Sequence, residues 1–316
     1  MRFLILTFAV LSFLGDVALA QQNPDASKQS GDTKKKKRPP FQWVNPLKEW
    51  DIKKSPNVLH KTFVSSSMKA EVGYCIYLPA QYSLQENREK RFPVVYYLHG
   101  GRPGSEKKSI RLSQFIDKHI QAGSVAPMIY VFVNGGPVSH YNMPDKPEAQ
   151  GASVFIEELI PHIDKTYRTI ARREGRGLEG FSQGGRGTAR LMFRHPDLFC
   201  SAAPGGGGHA TEKRISESGG AESETLVFTE GDNTWDLARS YAKSLKQDGA
   251  PTVRIYVHVG DKGFNYQNNL EWMGHLDSLG ISYEKLIVPG AEHSAQQIYE
   301  ADGLRIMKFH AKNFGL

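Results

Sequence analysis

The sequence is poor in the residues that build metal centres and covalent scaffolds. Only two cysteines, Cys75 and Cys200, occur in 316 residues, which rules out a cysteine-rich zinc site and a disulfide-stapled fold. None of the eleven histidines stands in H-x-x-x-H or H-E-x-x-H spacing, so the helical arrangement that turns two imidazoles onto one ion is missing, and no metal or other cofactor is expected. No repeat is found, which excludes a solenoid. Beyond the N-terminus no apolar run is long enough to cross a bilayer, so no membrane span is expected in the mature chain.

An excess of one charge sign across the chain is also lacking, although the formal net charge is +7. In residues 21–40, Lys28, Lys34, Lys35, Lys36, Lys37 and Arg38 outnumber Asp25 and Asp32 by four. Arg2 and Asp16 cancel before them, which leaves +3 for residues 41–316. Most of the basicity is therefore a polar tail, "DTKKKKRPP", read as a disordered linker with at most a weak pull toward anionic surfaces. A nucleic-acid partner is not expected, because that function needs its positive charge on the folded surface.

The first twenty residues, "MRFLILTFAVLSFLGDVALA", combine Arg2, an apolar run from Phe3 to Leu14 and a small-x-small end at Ala18 to Ala20. This pattern predicts a cleaved signal peptide over 1–20 and a secreted or periplasmic protein. Export permits a bond between Cys75 and Cys200, and two buried thiols fit the sequence equally well. After the Lys-rich linker at 21–40, apolar periodicity begins, and one domain is expected over 41–316.

Within that domain "HKTFVSSSMKAEVGYCIYLPAQY" reads as an antiparallel hairpin. "FPVVYYLHGG" and "PMIYVFVNGG" are short continuous apolar runs ending in paired glycines, the pattern of strands buried on both faces of a parallel sheet. Helical patterns such as "TWDLARSYAKSLKQDG" alternate with further strands such as "VRIYVHVG". The expected fold is α/β, a mostly parallel central sheet with helices on both faces, whose chemistry gathers at the carboxyl ends of the strands. The polar, glycine-rich segment "GGGGHATEKRISESGGAES" reads as a surface excursion.

One such strand end carries "GLEGFSQGGRG", with Ser182 between Gly180 and Gly184 in G-x-S-x-G. The pattern alone is weak in a chain with 31 glycines. Its setting, a strand before and a helix after, is the one a nucleophile elbow needs. A serine hydroxyl needs a base, and His293 in "LIVPGAEHSAQQIY" follows the last strand. An acyl-transfer intermediate also needs amide donors. The turn after "YYL" supplies His99-Gly100-Gly101, so Gly101 or Arg102, together with Gln183 after the serine, are the candidate oxyanion donors.

The domain resembles the putative-esterase branch of the α/β-hydrolases, the esterase D-like group that includes carbohydrate esterase family one. "VGYCIYLPAQY", "VVYYLHGGRPGS", "EELIPHIDKTYRT", "GFSQGGRGTARLMFRHPDLF" and "VPGAEHS" carry the resemblance, which spans about residues 58–316. It implies an α/β-hydrolase fold and a serine carboxylesterase with Ser182 as nucleophile and His293 as base. Tyr141, Asn142 and Trp272 become candidate pocket residues by the same resemblance.

Family members carry the acid three residues after the glycine that ends the penultimate strand, but Gly263 stands there. Asp261 is the expected acid if the loop is re-routed, with Asp232 and Glu292 as weaker candidates and no acid at all as the remaining option. Export favours small-molecule or polysaccharide-linked esters, feruloyl or acetyl, as substrates. A siderophore esterase, an S-formylglutathione hydrolase-like thioesterase, an acyltransferase and a catalytically weak binding module are the alternatives.

Overall fold

The computed structural model describes residues 40–144, 146–209 and 231–316. The expected signal segment, nearly all of the Lys-rich linker and most of the glycine-rich excursion lie outside them. Pro40–Leu316 forms one compact unit.

Eight strands form a single sheet: β1 (Val58–Ser65), β2 (Ala70–Tyr77), β3 (Val94–Leu98), β4 (Ile129–Val133), β5 (Arg176–Phe181), β6 (Ser201–Gly205), β7 (Arg254–Gly260) and β8 (Glu284–Val288). Their spatial order is β1-β2-β4-β3-β5-β6-β7-β8. The hairpin read from the sequence is present, with β1 antiparallel to β2 from Val58 opposite Tyr77 to Ser65 opposite Ala70. β2 is also antiparallel to β4, and every later pairing is parallel.

The helices are α1 (Glu49–Lys53), α2 (Ser113–Gln121), α3 (Gly151–Ser153), α4 (Ile160–Thr166), α5 (Gln183–Arg194), α6 (Thr234–Ser244), α7 (Tyr266–Ser278) and α8 (Ala295–Asn313), with a π-helical turn over Val154–Leu159 joining α3 to α4. The continuous apolar strands serve two cores at once. In β3, Val94, Tyr96 and Leu98 enter the cluster built with α4, α5, α6 and α7, whereas Val95 and Tyr97 enter the one built with α2 and α8. Alternate side chains of a strand point to opposite faces, so a strand covered on both faces must be apolar throughout.

The chain winds outward in both directions from β3 and β5, which lie side by side. At such a reversal the loops leaving the two strands diverge and open a crevice at their carboxyl ends. His99 follows β3 there, and Ser182 follows β5. Cys75 and Cys200 are both buried and free, the second of the two states the sequence allowed.

Candidate active site

β5 ends at Phe181 and α5 begins at Gln183, so Ser182 alone makes the turn between them. Its φ of 62° and ψ of −120° are strained for a residue with a β-carbon. Neighbouring backbone holds it there. The Ser182 N–H donates to the Gly205 carbonyl at 2.8 Å, and its own carbonyl accepts from Arg186 N–H at 3.0 Å. The flanking glycines are steric requirements: a β-carbon on Gly180 would lie 2.5 Å from the Gly184 carbonyl oxygen, and one on Gly184 only 1.9 Å from that of Leu98.

The turn after β3 abuts this elbow. A β-carbon on Gly100 would stand 3.0 Å from Ser182 Cβ and 3.7 Å from its Oγ. Gly101 takes a left-handed φ of 67°, and Ser139 Oγ donates to its carbonyl at 2.7 Å. His99 is the post of this turn. Its Nε2 accepts from the Ser105 and Gly135 amides at 3.2 and 3.3 Å, which leaves Nδ1 to donate to the Gly100 carbonyl at 3.0 Å. Burial holds His99 neutral, with its pKa well below the usual imidazole range. Gly101 and Arg102 follow Gly100 in this turn, and Gln183 opens α5 directly after the serine.

His293 reaches the serine from the loop after β8. Its Nε2 is 2.8 Å from Ser182 Oγ. The imidazole packs between Phe181 and Phe264, with ring centroids 4.9 and 4.2 Å away. Phe264 is 83% exposed, an unusual place for a large aromatic. Burial lowers the His293 pKa to about 4, because a desolvated imidazole resists the positive charge.

The group behind His293 is Asn265. Its Oδ1 lies 3.1 Å from His293 Nδ1, and its Nδ2 donates to the Gly206 carbonyl. Asp261, the acid expected from the sequence, does not reach the imidazole and accepts from the Gly290 N–H at 2.7 Å instead. The reason is the path of the chain after β7. The Asp261 N–H donates to the Val288 carbonyl and Gly263 N–H closes back on Gly260. This turn directs Asp261 toward the β8 loop and carries the chain on, so that Asn265 arrives at the ring.

The other carboxylates are committed elsewhere. Asp232 is paired with Arg190 and Arg194, and Glu292 is exposed, its own N–H donating to Gln297 Oε1. Asn265 carries no carboxylate signature in the sequence, although its amide has the same shape as one and stands at the start of the helix after β7.

The expected pocket residues have partners other than Ser182 and His293. Trp272 is 0% exposed and stacks on His209 at 3.9 Å, in the core beside Phe193, so it lines no opening. Tyr141 is buried against the Arg190 guanidinium, 3.7 Å from its ring centroid. Asn142 exchanges hydrogen bonds with Ser153 and lines a cleft of about 360 Å³ with Glu157, Arg190, Arg194 and Asp232, to which neither Ser182 nor His293 contributes. Among the described residues no group of three His, Cys, Asp or Glu side chains is placed to hold a metal ion.

The sequence profile of the family described as "Putative esterase" matches residues 65–279, more than half of the chain. The protein belongs to that family. An esterase of Mycobacterium tuberculosis is 25% identical over 276 residues, covering 78% of this chain and 58% of the relative. An endo-1,4-beta-xylanase/feruloyl esterase of Xylanibacter ruminicola is 28% identical over 153 residues, 45% of this chain and 20% of the relative. The chain thus spans little more than half the length of the first of these curated relatives, and less of the second.

Among solved structures, a ferulic acid esterase superposes with a TM-score of 0.66 at 21% identity, over 81% of this chain and 97% of its own. An S-formylglutathione hydrolase of Staphylococcus aureus gives 0.63 at 18%, over 80% and 98%. These similarities identify the fold as that of an α/β-hydrolase.

Proposed function

We propose that this family member is a serine carboxylic-ester hydrolase that works through an acyl-enzyme. The 2.8 Å contact between Ser182 Oγ and His293 Nε2 carries the reading, because it joins a strained, half-buried turn serine to a base across the strand ends. Ser182 Oγ attacks the ester carbonyl carbon while His293 Nε2 takes the hydroxyl proton. The carbonyl electron pair moves onto oxygen, where the amides of Gln183 and of Gly101 or Arg102 receive it. Collapse expels the alcohol, which takes the proton from Nε2. Water repeats the sequence and frees the acid.

Acyl esters of polysaccharide, feruloyl or acetyl, are the proposed substrates. The names of the feruloyl esterases among the relatives and structural neighbours support this choice, as does Phe264, an exposed aromatic surface directly against the base. Secretion through residues 1–20 and a single catalytic domain from residue 41 belong to the same proposal. The rival reading is a hydrolase fold kept for binding with little turnover, and the amide in the place of the acid is the observation that favours it.

The deciding experiment measures hydrolysis of 4-nitrophenyl acetate and methyl ferulate by wild type and Ser182→Ala, with fluorophosphonate labelling of both. Turnover and labelling that vanish together in the variant support the hydrolase. A wild type that neither turns over nor labels leaves the binding module.

A further inference from the structure

Two hydrogen bonds determine how the Asn265 amide is oriented. Its one end faces the Gly206 carbonyl, which can only accept, so that end is the NH2 group. The amide oxygen is left facing His293 Nδ1 at 3.1 Å. Because that oxygen can only accept as well, Nδ1 carries the ring proton, and Nε2 is left bare toward the Ser182 hydroxyl. This is the tautomer a general base needs.

We propose that Asn265, held by the Gly206 carbonyl, is the positioning residue of the Ser182–His293 pair, orienting the imidazole without a negative charge. The proposal rests on the hydrolase reading above and departs from the carboxylate that the family resemblance implies. Where asparagine replaces the acid of a serine triad and presents its NH2 group to the ring, the wrong tautomer forms and turnover falls by about ten-thousandfold. Here that flip is opposed, since it would set the amide oxygen against the Gly206 carbonyl oxygen.

The surrounding backbone keeps this lock in place. The Gly206 N–H donates to the His258 carbonyl at 2.8 Å, and Asn269 Nδ2 donates to the carbonyls of Asn265 and Gly207, each at 2.8 Å. An ionised carboxylate at position 265 would turn one oxygen toward that same Gly206 carbonyl. The pocket is therefore built for an amide.

Among the described residues no carboxylate is paired with the His293 ring, so an imidazolium formed here has no anionic partner among them. From the elbow, Ser182 and Phe181 face the ring. From the loop after β7 come Phe264 and Asn265, while Asp261 is turned to Gly290 and Lys262 is exposed. The turn after β3 carries Arg102 and Lys108, the latter donating to the Pro103 carbonyl at 2.5 Å. On its own loop the neighbour Glu292 is exposed, and behind Phe181 lies His258, kept neutral by burial. The neutral base should therefore persist to acidic pH, in keeping with a pKa lowered to about 4.

The test is kcat/KM for 4-nitrophenyl acetate from pH 3.5 to 9 with wild type, Asn265→Ala, Asn265→Asp and Asp261→Asn, together with NMR of the His293 ring in 15N-histidine-labelled protein. The expected results are a wild-type acid limb well below the usual imidazole range, a rise of that limb by about one pH unit or more in Asn265→Asp, and a kcat lower by about a hundredfold at little-changed KM in Asn265→Ala. Asp261→Asn stays within about twofold of wild type on the same scale. The wild-type ring shows its proton on Nδ1.

Full activity in Asn265→Ala, an unmoved limb in Asn265→Asp, or a ring proton on Nε2 overturns the proposal. Loss of activity in Asp261→Asn equal to that in Asn265→Ala also overturns it. If wild type is inert and unlabelled the hydrolase reading falls, and the NMR assignment still decides whether Asn265 sets the tautomer.

Discussion

Glu179 and Tyr299 meet in the interior below the Ser182 turn, the phenol donating to Glu179 Oε1 at 2.7 Å with both side chains fully buried. Glu179 lies three residues before Ser182 on β5, and burial raises its carboxyl pKa to about 8. It is therefore protonated at neutral pH in the folded protein and ionised there in the unfolded one. A folded state that binds the extra proton is favoured below the unfolded pKa near 4.5 and loses that advantage as pH rises through about 8. Glu179→Gln should gain stability relative to wild type as pH rises from about 5 to 8. Urea midpoints measured at several pH values check this, and a constant difference between the two proteins contradicts it.

Removing the nucleophile tests the chemistry most directly. Ser182→Ala should lower kcat by up to about a millionfold while leaving thermal stability equal to or above that of wild type, since it relieves none of the core packing and removes only the hydroxyl. Residual activity near wild type would move the chemistry away from the elbow.

The elbow glycines should fail for a different reason. Gly184→Ala places a methyl 1.9 Å from the Leu98 carbonyl oxygen, which is backbone of the neighbouring central strand. Such overpacking costs about 1–3 kcal/mol or more, so the variant should unfold at lower urea and lose activity. Gly274→Ala on α7, where a β-carbon meets nothing within 4 Å, is the control.

Phe264 offers a test of substrate class. Its ring is exposed and lies 4.2 Å from the His293 ring. Phe264→Ala should raise KM for methyl ferulate several-fold, by loss of about 0.5–1.5 kcal/mol of aromatic stacking, and leave KM for 4-nitrophenyl acetate nearly unchanged. Equal effects on both esters would mean that the ring acts on His293 rather than on the acyl group.

Much of this architecture follows from local rules that can be read along the chain. The apolar runs of β3 and β4 announced burial on both faces, and the alternation in Val58–Ser65 announced a strand with one face to solvent. Ser182 and the glycines around it were legible because a tight strand-to-helix turn tolerates few residue types at few positions. His293 was legible from its place after the last strand. The resemblance makes Trp272 a pocket candidate, but its ring is turned to the His209 ring in the core, and nothing local in the sequence distinguishes that face from one toward a cleft.

The linear pattern of residues was sufficient for the fold and for the places of Ser182 and His293, since each rests on contacts within a turn or on a period of two or 3.6 residues. The group that meets the His293 ring was beyond its reach. Asp261 and Asn265 are four residues apart, and which of them meets His293 depends on how the loop after β7 closes against Val288 and Gly290 at the end of β8 and against Gly206 after β6. Those contacts come from packing the β7 loop between β6 and β8, and their geometry turned the carboxylate outward and the amide toward the ring.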